Sequence, residues 1–413
     1  MMTILEERQK RIDDAIALRE SDRVPITANG QCYPMYNAGY TVADAVYDFD
    51  VYAESTIKYI TQYEPDAAGG GMTIPGQGPI FDLLRMKNLV IPGAPDNRIS
   101  KNSTQQFLEY TVLQEDDMDF FMKDYTGWLL SKGYPAVSGL LEPLSGWDFA
   151  RHTVNAYIDG LLRMLSTPES REMMQTIWKI TDMEAELNKK KMALFGKFIE
   201  LGFPVTGGGG SLVPFDAYSD FYRGTIETMS DLYEHPDVIF HFMDRNIEYV
   251  LDDITAQAKM APGKWLFMPL HKGMDTFLTD QQYKDFYWKY LQRMINHIIE
   301  VGMVPFVYTE GPYDSRIKHL TEVPKGKVVY SFEKVDPSYV KRELGDIACI
   351  QGIFPIYLLH YGTKQQVIDE AKRLIDILAP GGGYIFSTDA GFDHAKPENV
   401  EAMFDTVKTY GKR

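Results

Sequence analysis

The sequence predicts an α/β fold, a (β/α)₈ barrel that spans residues 1–413 as a single domain, with helical insertions in its N-terminal half. Two observations support this fold class. In the C-terminal 150 residues, short β-branched or aromatic runs alternate with segments of helical periodicity, as in βα units around a parallel sheet. Three more short apolar runs lie in the N-terminal half, which brings the predicted strands to the eight of a barrel.

The predicted elements follow in chain order. Strands are expected at residues 24–28, 66–69, 203–206, 265–270, 305–308, 328–332, 347–351 and 384–386. A capping box at Thr279 and Gln282 begins a helix that reaches Gly302, and Thr363 caps another. Further helices are expected at 315–320, 337–344 and 397–410. Residues 75–200 break the alternation, and we predict that they form helical and loop insertions that shape the substrate pocket.

A doubly wound open sheet is the structural alternative. No G-x-G-x-x-G motif follows a predicted strand, which disfavours a dinucleotide site. The four glycines from Gly207 to Gly210 are not followed by the Lys-Ser/Thr of a phosphate-binding loop. They are therefore predicted to form a mobile loop.

Composition excludes several classes of protein. Lys and Arg total 42 against 58 Asp and Glu, a net charge of −16, which has the wrong sign for nucleic acid. Two cysteines rule out a disulfide scaffold and indicate a reducing compartment. The N-terminus is charged throughout and no apolar run is long enough to span a membrane, so we expect a cytoplasmic protein. The oligomeric state is left open, a homodimer included.

Three side chains of metal-ligand type follow or end predicted strands, where a barrel carries its active site. They are His271, Glu310 and Cys349. Imidazole, carboxylate and thiolate are usual zinc ligands, and three of them with an open fourth position are typical of a catalytic zinc. The sequence thus predicts a zinc centre, in which Cys32, Asp389 or His394 are the alternative ligands.

Simpler interpretations stand beside this one. Cys349 lies in an apolar run and fits a small buried hydrophobe, and His271 fits a pocket histidine without metal. Glu310 is harder to explain in this way, because carboxylates are rarely buried unless they are paired or ligated. Aromatic residues are expected either to line a pocket for a planar substrate or to pack in the core; the candidates for substrate binding are Tyr33, Tyr36, Phe215 and Tyr218.

Several segments resemble the uroporphyrinogen decarboxylase superfamily. They are ALRESDRVPI at 17–26, GDIACIQG at 345–352, GTKQQV at 362–367, APGGGYI at 379–385 and PENV at 397–400. The resemblance implies a (β/α)₈ barrel. True decarboxylases bind substrate carboxylates through an Arg-Gln-Ala-Gly-Arg segment after the first strand, whereas residues 29–36 here contain no arginine.

The other main branch of the superfamily comprises corrinoid-linked methyltransferases, whose zinc is held by a His-x-Cys pair and a later Cys. Tyr308 and Glu310 occupy the positions of that pair, and the later cysteine falls near Ala390. The set His271, Glu310 and Cys349 instead resembles the mixed zinc sites of substrate-specific methyltransferases in O-demethylase systems.

The resemblance therefore implies a methyltransferase that moves a methyl group from a small methylated compound, most simply an aryl methyl ether, to Co(I) of a separate corrinoid protein. Zinc at the ether oxygen would act as a Lewis acid, and Asp389 or Tyr308 would orient the substrate or exchange its proton. Two rivals remain. A lyase acting on a tetrapyrrole or small acid would need cationic clamps, for which Arg23, Lys272 and Arg316 are candidates. A noncatalytic corrinoid- or tetrapyrrole-binding protein would need no zinc.

Overall fold

A single parallel sheet of six strands organises the protein, whose computed structural model describes residues 2–28, 30–69, 74–147 and 158–413. The six strands lie side by side in chain order, and each pairs in parallel with the next. Two short strands form a separate antiparallel pair. The strands are β1 (Leu89–Val90), β2 (Gln106–Phe107), β3 (Gly207–Gly210), β4 (Trp265–Leu270), β5 (Val304–Pro312), β6 (Val329–Lys334), β7 (Cys349–Phe354) and β8 (Tyr384–Thr388).

Single bridges extend the sheet at both edges. Ile26 pairs in parallel with Phe386 of β8, and Ala68 pairs in parallel with Val205 just before β3. The backbone N–H of Asp66 donates to the Ile26 carbonyl at 2.8 Å, which links the two edge segments to each other. The predicted strands at 24–28 and 66–69 thus occupy the edge positions that a barrel requires, although each pairs through a bridge and not a ladder. The α/β fold class is confirmed.

The glycine run is a strand, so the prediction of a mobile loop at Gly207–Gly210 is wrong. These residues form β3, which pairs with β4. At the carboxyl end of β3, the Gln257 side chain hydrogen-bonds to the backbone of Gly210. The Gln257 amide accepts from the Gly210 N–H at 3.0 Å and donates to the Gly210 carbonyl at 3.1 Å. Four glycines show no side-chain periodicity, and for this reason the strand predicted at 203–206 lies four residues before the observed one.

The two faces of the sheet have different neighbours. Leu266, Val307 and Ile350 belong to the main core between the strands and the surrounding helices. Their alternating neighbours on the strands point to the inside of the sheet, where Trp265, Phe306 and Cys349 form a second cluster with Ile12 and Ile16 of the first helix. That helix therefore closes the amino end of the space that the curved sheet surrounds, which we call the lumen.

Helices fill the connections between the strands. Some are joined or preceded by short 3₁₀ and π turns, which lie at Glu115–Asp117, Leu129–Gly133, Glu142–Gly146, Ser219–Arg223, Tyr283–Trp288 and Asp314–Arg316. The helices are α1 (Ile4–Ile16), α2 (Tyr33–Ala38), α3 (Val42–Tyr47), α4 (Phe49–Tyr63), α5 (Gly78–Leu84), α6 (Met118–Lys123), α7 (Tyr125–Trp128), α8 (Tyr134–Val137), α9 (Asp159–Leu165), α10 (Pro168–Glu200), α11 (Pro214–Tyr218), α12 (Thr225–Glu234), α13 (Pro236–Met260), α14 (Asp280–Gln282), α15 (Lys289–Glu300), α16 (Ile317–Leu320), α17 (Pro337–Leu344), α18 (Ile356–Tyr361), α19 (Lys364–Leu378) and α20 (Pro397–Tyr410).

The segment predicted to form insertions, residues 75–200, is mainly helical where it is described; residues 148–157 lie outside the described residues. Its long helix α10 begins at the N-cap Thr167, whose side chain accepts from the Ser170 N–H. The helix packs against α4 and α5. Within the described part of the chain, none of the helices has both the length and the apolar character needed to cross a membrane.

Candidate active site

His271 and Glu310 meet at the carboxyl ends of adjacent strands. His271 directly follows β4, and Glu310 lies near the end of β5. The His271 Nε2 atom is 3.8 Å from the Glu310 Oε1 atom, and the two side chains are 29% and 38% exposed. The sequence predicted both as site residues, and the structure brings them together at the carboxyl ends of β4 and β5.

Asp220 holds His271 from the opposite side. It lies in the turn Ser219–Arg223, where its carboxylate accepts from His271 Nδ1 and is 3.1 Å from the Lys272 Nζ atom. Burial lowers the pKa of His271, but the Asp220 hydrogen bond and the charges of Asp216, Asp220 and Glu310 outweigh it and raise this pKa to about 9. His271 is therefore an imidazolium at neutral pH, with Nε2 facing Glu310.

Asp216 fixes the backbone that carries His271. It is fully buried, and its carboxylate accepts from the His271 N–H at 3.0 Å and the Lys272 N–H at 2.9 Å. The Tyr287 hydroxyl donates to the same carboxylate at 2.5 Å. Burial raises the pKa of Asp216 to about 6, against the opposing effects of His271 and Tyr287. At neutral pH this carboxylate thus anchors the strand end as an anion.

Asp216 and Asp220 were not predicted from the sequence. They are four residues apart, a spacing that places both on one face of a helical turn. The predicted strand at 203–206 ended before the glycines, which were expected to form a loop, so the sequence did not place these two carboxylates near a strand end. The two carboxylates also lie among the aromatic residues that were considered as a pocket lining.

Tyr308 and Asp389, the other predicted catalytic residues, also contact one another. The Tyr308 hydroxyl donates to the Asp389 carbonyl at 2.9 Å, and the Asp389 carboxylate accepts from the Ile356 N–H at 3.0 Å. Burial raises the pKa of Asp389 to about 6.

Glu333 adds another carboxylate near Glu310 and accepts from the Gly311 N–H at 2.6 Å. Burial, with the negative charges of Glu333 and Asp220, raises the pKa of Glu310, and the charge of His271 opposes this. The site is rich in carboxylates.

Cys349 does not join His271 and Glu310, and the prediction that it is their third ligand is wrong. It is the first residue of β7, fully buried in the lumen cluster near α1. Strand register places it level with Val329, which is itself level with Phe306 of β5. Glu310 lies four residues further along β5, about 13 Å at the usual rise per residue. Burial raises the pKa of the Cys349 thiol, so it behaves as a small hydrophobe.

The alternative ligands Cys32 and His394 occupy another place in the fold. Cys32 is buried before α2, and its N–H donates to Asp393 at 3.3 Å. Burial and the Asp393 carboxylate raise the pKa of the Cys32 thiol. The His394 ring stacks on Tyr36 at 4.2 Å between ring centroids.

Three of the four aromatic residues proposed for substrate binding are core residues, which corrects that prediction. Tyr33 is buried and its hydroxyl is 2.8 Å from that of Tyr63. Phe215 is fully buried against Tyr287, and the buried Tyr218 donates to Asp231 at 2.8 Å. Only Tyr36 of the four is partly exposed. In the sequence, aromatic residues that line a pocket and aromatic residues that pack in a core show the same pattern, so the sequence could not separate the two cases.

A zinc centre was tested against the donors present. His271 Nε2 and Glu310 Oε1 are oriented as two ligands could be, and the Asp220–His271 hydrogen bond is typical of a metal-bound histidine. Among the residues that the structure describes, however, no three His, Cys, Asp or Glu side chains form a metal-holding group. The described donors therefore do not complete the three-ligand set of a catalytic zinc.

Fold and site together define an α/β protein of barrel type with a polar active-site candidate at the carboxyl ends of its strands. Residues 168–410 match the family described as Uroporphyrinogen decarboxylase (URO-D), and the chain belongs to this family. The resemblance recognised in the sequence is thereby confirmed.

Two relatives are similar to the chain in sequence, and a solved structure is similar to it in fold. The chain is 25% identical over 260 residues to a uroporphyrinogen decarboxylase of Azoarcus sp. (strain BH72), covering 61% of this chain and 68% of that protein. It is 24% identical, with the same coverage, to a uroporphyrinogen decarboxylase of Aromatoleum aromaticum. The fold is similar to that of a methyltransferase from Methanosarcina mazei, with a TM-score of 0.61, 12% identity and 98% of each chain covered.

Proposed function

We propose that the protein is a methyltransferase that moves a methyl group from an aryl methyl ether to the Co(I) corrinoid of a separate protein. The observation that carries the proposal is the pairing of His271 with Glu310 at the strand ends, with Asp220 behind the imidazole. The fold similarity to the Methanosarcina methyltransferase supports the choice of reaction class. So does the site itself, which offers a proton donor, whereas the described cations that were candidates for a carboxylate clamp are engaged within the protein.

The difficulty of the reaction lies in the leaving group, because a phenoxide leaves carbon poorly. The corrinoid of the partner supplies the nucleophile that takes the methyl carbon. As the carbon–oxygen bond breaks, its electron pair stays on oxygen, and the His271 Nε2 proton passes to that oxygen to give the free phenol. General acid catalysis of this kind contributes about 10²- to 10⁴-fold in rate.

Each neighbour of His271 has a role in that step. Asp220 accepts from Nδ1, which leaves Nε2 as the atom that carries the transferable proton. Asp216 holds the backbone of His271 and Lys272 in place through two N–H groups. Glu310 and Tyr308 face the lumen on the same strand and would orient the ether, while Asp389 positions the Tyr308 ring through its carbonyl.

Zinc at this site would have His271 and Glu310 as ligands, and the described residues offer no third one. Zinc content of protein purified without chelator, before and after reconstitution, decides whether a metal accompanies this pair.

A decarboxylase is the second candidate, because the named relatives are uroporphyrinogen decarboxylases. Such an enzyme needs free cations for the carboxylates of its substrate, and the candidates for that role are all engaged within the protein. Arg23 binds the buried Asp66 at 2.7 Å, and Lys272 binds Asp220. Arg316 is buried and donates to the carbonyls of Gly273 and Leu278.

The test is methyl transfer from 1,2-dimethoxybenzene to chemically reduced cobalamin, followed by the visible spectrum of the cobalamin. Wild-type protein should form methylcobalamin and 2-methoxyphenol in equal amounts, and His271→Gln should reduce the rate by about 10²-fold or more. Release of CO₂ from uroporphyrinogen without any methyl transfer would instead establish the decarboxylase. Binding of cobalamin with neither reaction would establish the noncatalytic alternative.

A further inference from the structure

The lumen below His271 has one aromatic wall. Phe267 of β4 is 39% exposed although it lies within the sheet, and its ring centroid is 5.6 Å from that of Phe306 and 6.3 Å from that of Tyr308. The Phe267 and Tyr308 rings are inclined by only 28°. Exposed aromatic rings on an inward face are a surface on which another flat ring can stack.

The neighbouring strand leaves room beside that wall. In β3, Gly207 pairs with Trp265 and Gly210 pairs with Phe267, so the glycines run alongside the aromatic residues. Gly207, Gly209 and Gly210 are exposed. A Cβ added at Gly207 would meet no described atom within 4 Å, and one added at Gly210 would meet only the Phe267 carbonyl oxygen, at 3.4 Å. Cβ atoms at Gly208 and Gly209 would instead meet Gly263 and the Gln257 side chain, so the open backbone of this strand is that of Gly207 and Gly210. The strand that the sequence failed to reveal thus forms one side of a slot.

The position of the slot relates it to the reacting groups. Tyr308 precedes Glu310 by two residues on the same face of β5, a separation of about 7 Å along the strand. A ring stacked on Phe267 and Tyr308 would therefore lie directly below the His271–Glu310 pair. Its substituents would point towards the proton donor.

The charge around the upper end of the slot selects among aromatic compounds. Glu310, Glu333 and Asp389 lie there, while the cations His271 and Lys272 are both ion-paired with Asp220. A carboxylate on the ligand would meet like charges without a free cation among the described residues. Like charges placed against each other disfavour the wrong ligand, so the carboxylates around the slot provide specificity against an anionic ring.

We infer that the slot formed by Phe267, Tyr308 and the backbone of Gly207–Gly210 binds the ring of an uncharged methoxybenzene, and that it discriminates against methoxybenzoates. The inference rests on the proposed function, since it names the class of methyl donor. It concerns binding alone, and it can be tested without a corrinoid or a turnover.

The experiment compares two ligands that differ only by a carboxylate, 1,2-dimethoxybenzene and 3,4-dimethoxybenzoate, titrated into the full chain by calorimetry. The variants are Phe267→Ala, which removes the wall, and Gly207→Leu, which adds a side chain at the lower end of the slot, level with Trp265. Gly196→Leu is the matched control, because Gly196 is exposed on α10 and a Cβ there also meets nothing within 4 Å. Circular dichroism and thermal midpoints establish that each variant is folded.

Wild type and Gly196→Leu should bind the uncharged ring at least about tenfold more tightly than the benzoate. Phe267→Ala and Gly207→Leu should each weaken binding of the uncharged ring by about tenfold or more. Equal or tighter binding of the benzoate overturns the inference, and so does a folded Gly207→Leu that binds as wild type does. Binding with the expected pattern but no methyl transfer would leave the slot established and refute only the proposed function.

Discussion

Replacement of Asp220 by Asn tests the proton donor directly. Asp220 is 11% exposed and its carboxylate serves both His271 Nδ1 and Lys272 Nζ. Asn keeps the shape and one acceptor oxygen but removes the charge. Hydrogen bonds to charged groups contribute about 1.5–3 kcal/mol, so the loss should lower the rate of methyl transfer by about 10- to 100-fold.

The same variant should change the pH dependence in a definite direction. The raised pKa of His271, about 9, keeps the imidazole protonated at neutral pH, and the donor is lost as pH rises through that value. Without the Asp220 charge, burial lowers the pKa of His271, although Asp216 and Glu310 still oppose this. The alkaline limit of activity should therefore move to lower pH, while the acid side changes little.

The assay is the initial rate of methylcobalamin formation between pH 6 and 10, with the His271 imidazole titrated in parallel by NMR. Asp285→Asn is the control, because Asp285 is exposed and contacts Gln281 instead of the site. If Asp220→Asn retained the wild-type rate and the same alkaline limit, His271 would not be the proton donor and the assignment would fail.

Three further outcomes are expected. Cys349→Ala should leave the rate of methyl transfer and any zinc content unchanged within about twofold, because the thiol lies at the amino end of β7. Loss of the activity or of the zinc would restore Cys349 as a ligand. Glu310→Gln should lower the rate of methyl transfer without changing the thermal midpoint, since this side chain is 38% exposed, and an unchanged rate would remove Glu310 from the site. Asp66→Asn should lower the free energy of unfolding by about 3–5 kcal/mol in urea denaturation, because it removes the buried charge that pairs with Arg23 and leaves Arg11 paired with Asp22 alone. A change below about 1 kcal/mol would contradict this role of Asp66.

The predicted fold class was confirmed because the strands of the C-terminal half are apolar runs bounded by capped helices. Thr279 and Thr363 each form the capping box or N-cap that the sequence indicates. The placement of β3 could not be predicted, since a strand of glycines carries no periodic signal. Its strand character comes from backbone pairing with β4, which is a tertiary property.

The candidate site was predicted only in part, because the sequence shows where apolar strands lie but not where they begin and end. His271 and Glu310 were predicted because they follow apolar runs at the carboxyl ends of barrel strands, where such folds carry their active sites. Cys349 was misplaced because its predicted strand, 347–351, begins and ends too early; the observed strand continues to Phe354 and leaves the cysteine at the amino end. Residue type alone does not say which end of a strand a side chain occupies.

The stoichiometry of methyl transfer from 1,2-dimethoxybenzene to cob(I)alamin tests the central claim most directly. We expect one methylcobalamin and one 2-methoxyphenol for each ether consumed, with the rate reduced by about 10²-fold or more in His271→Gln. Wild-type protein that forms no methylcobalamin from this donor, or from any of a panel of uncharged methoxybenzenes, while it binds them, would contradict the account.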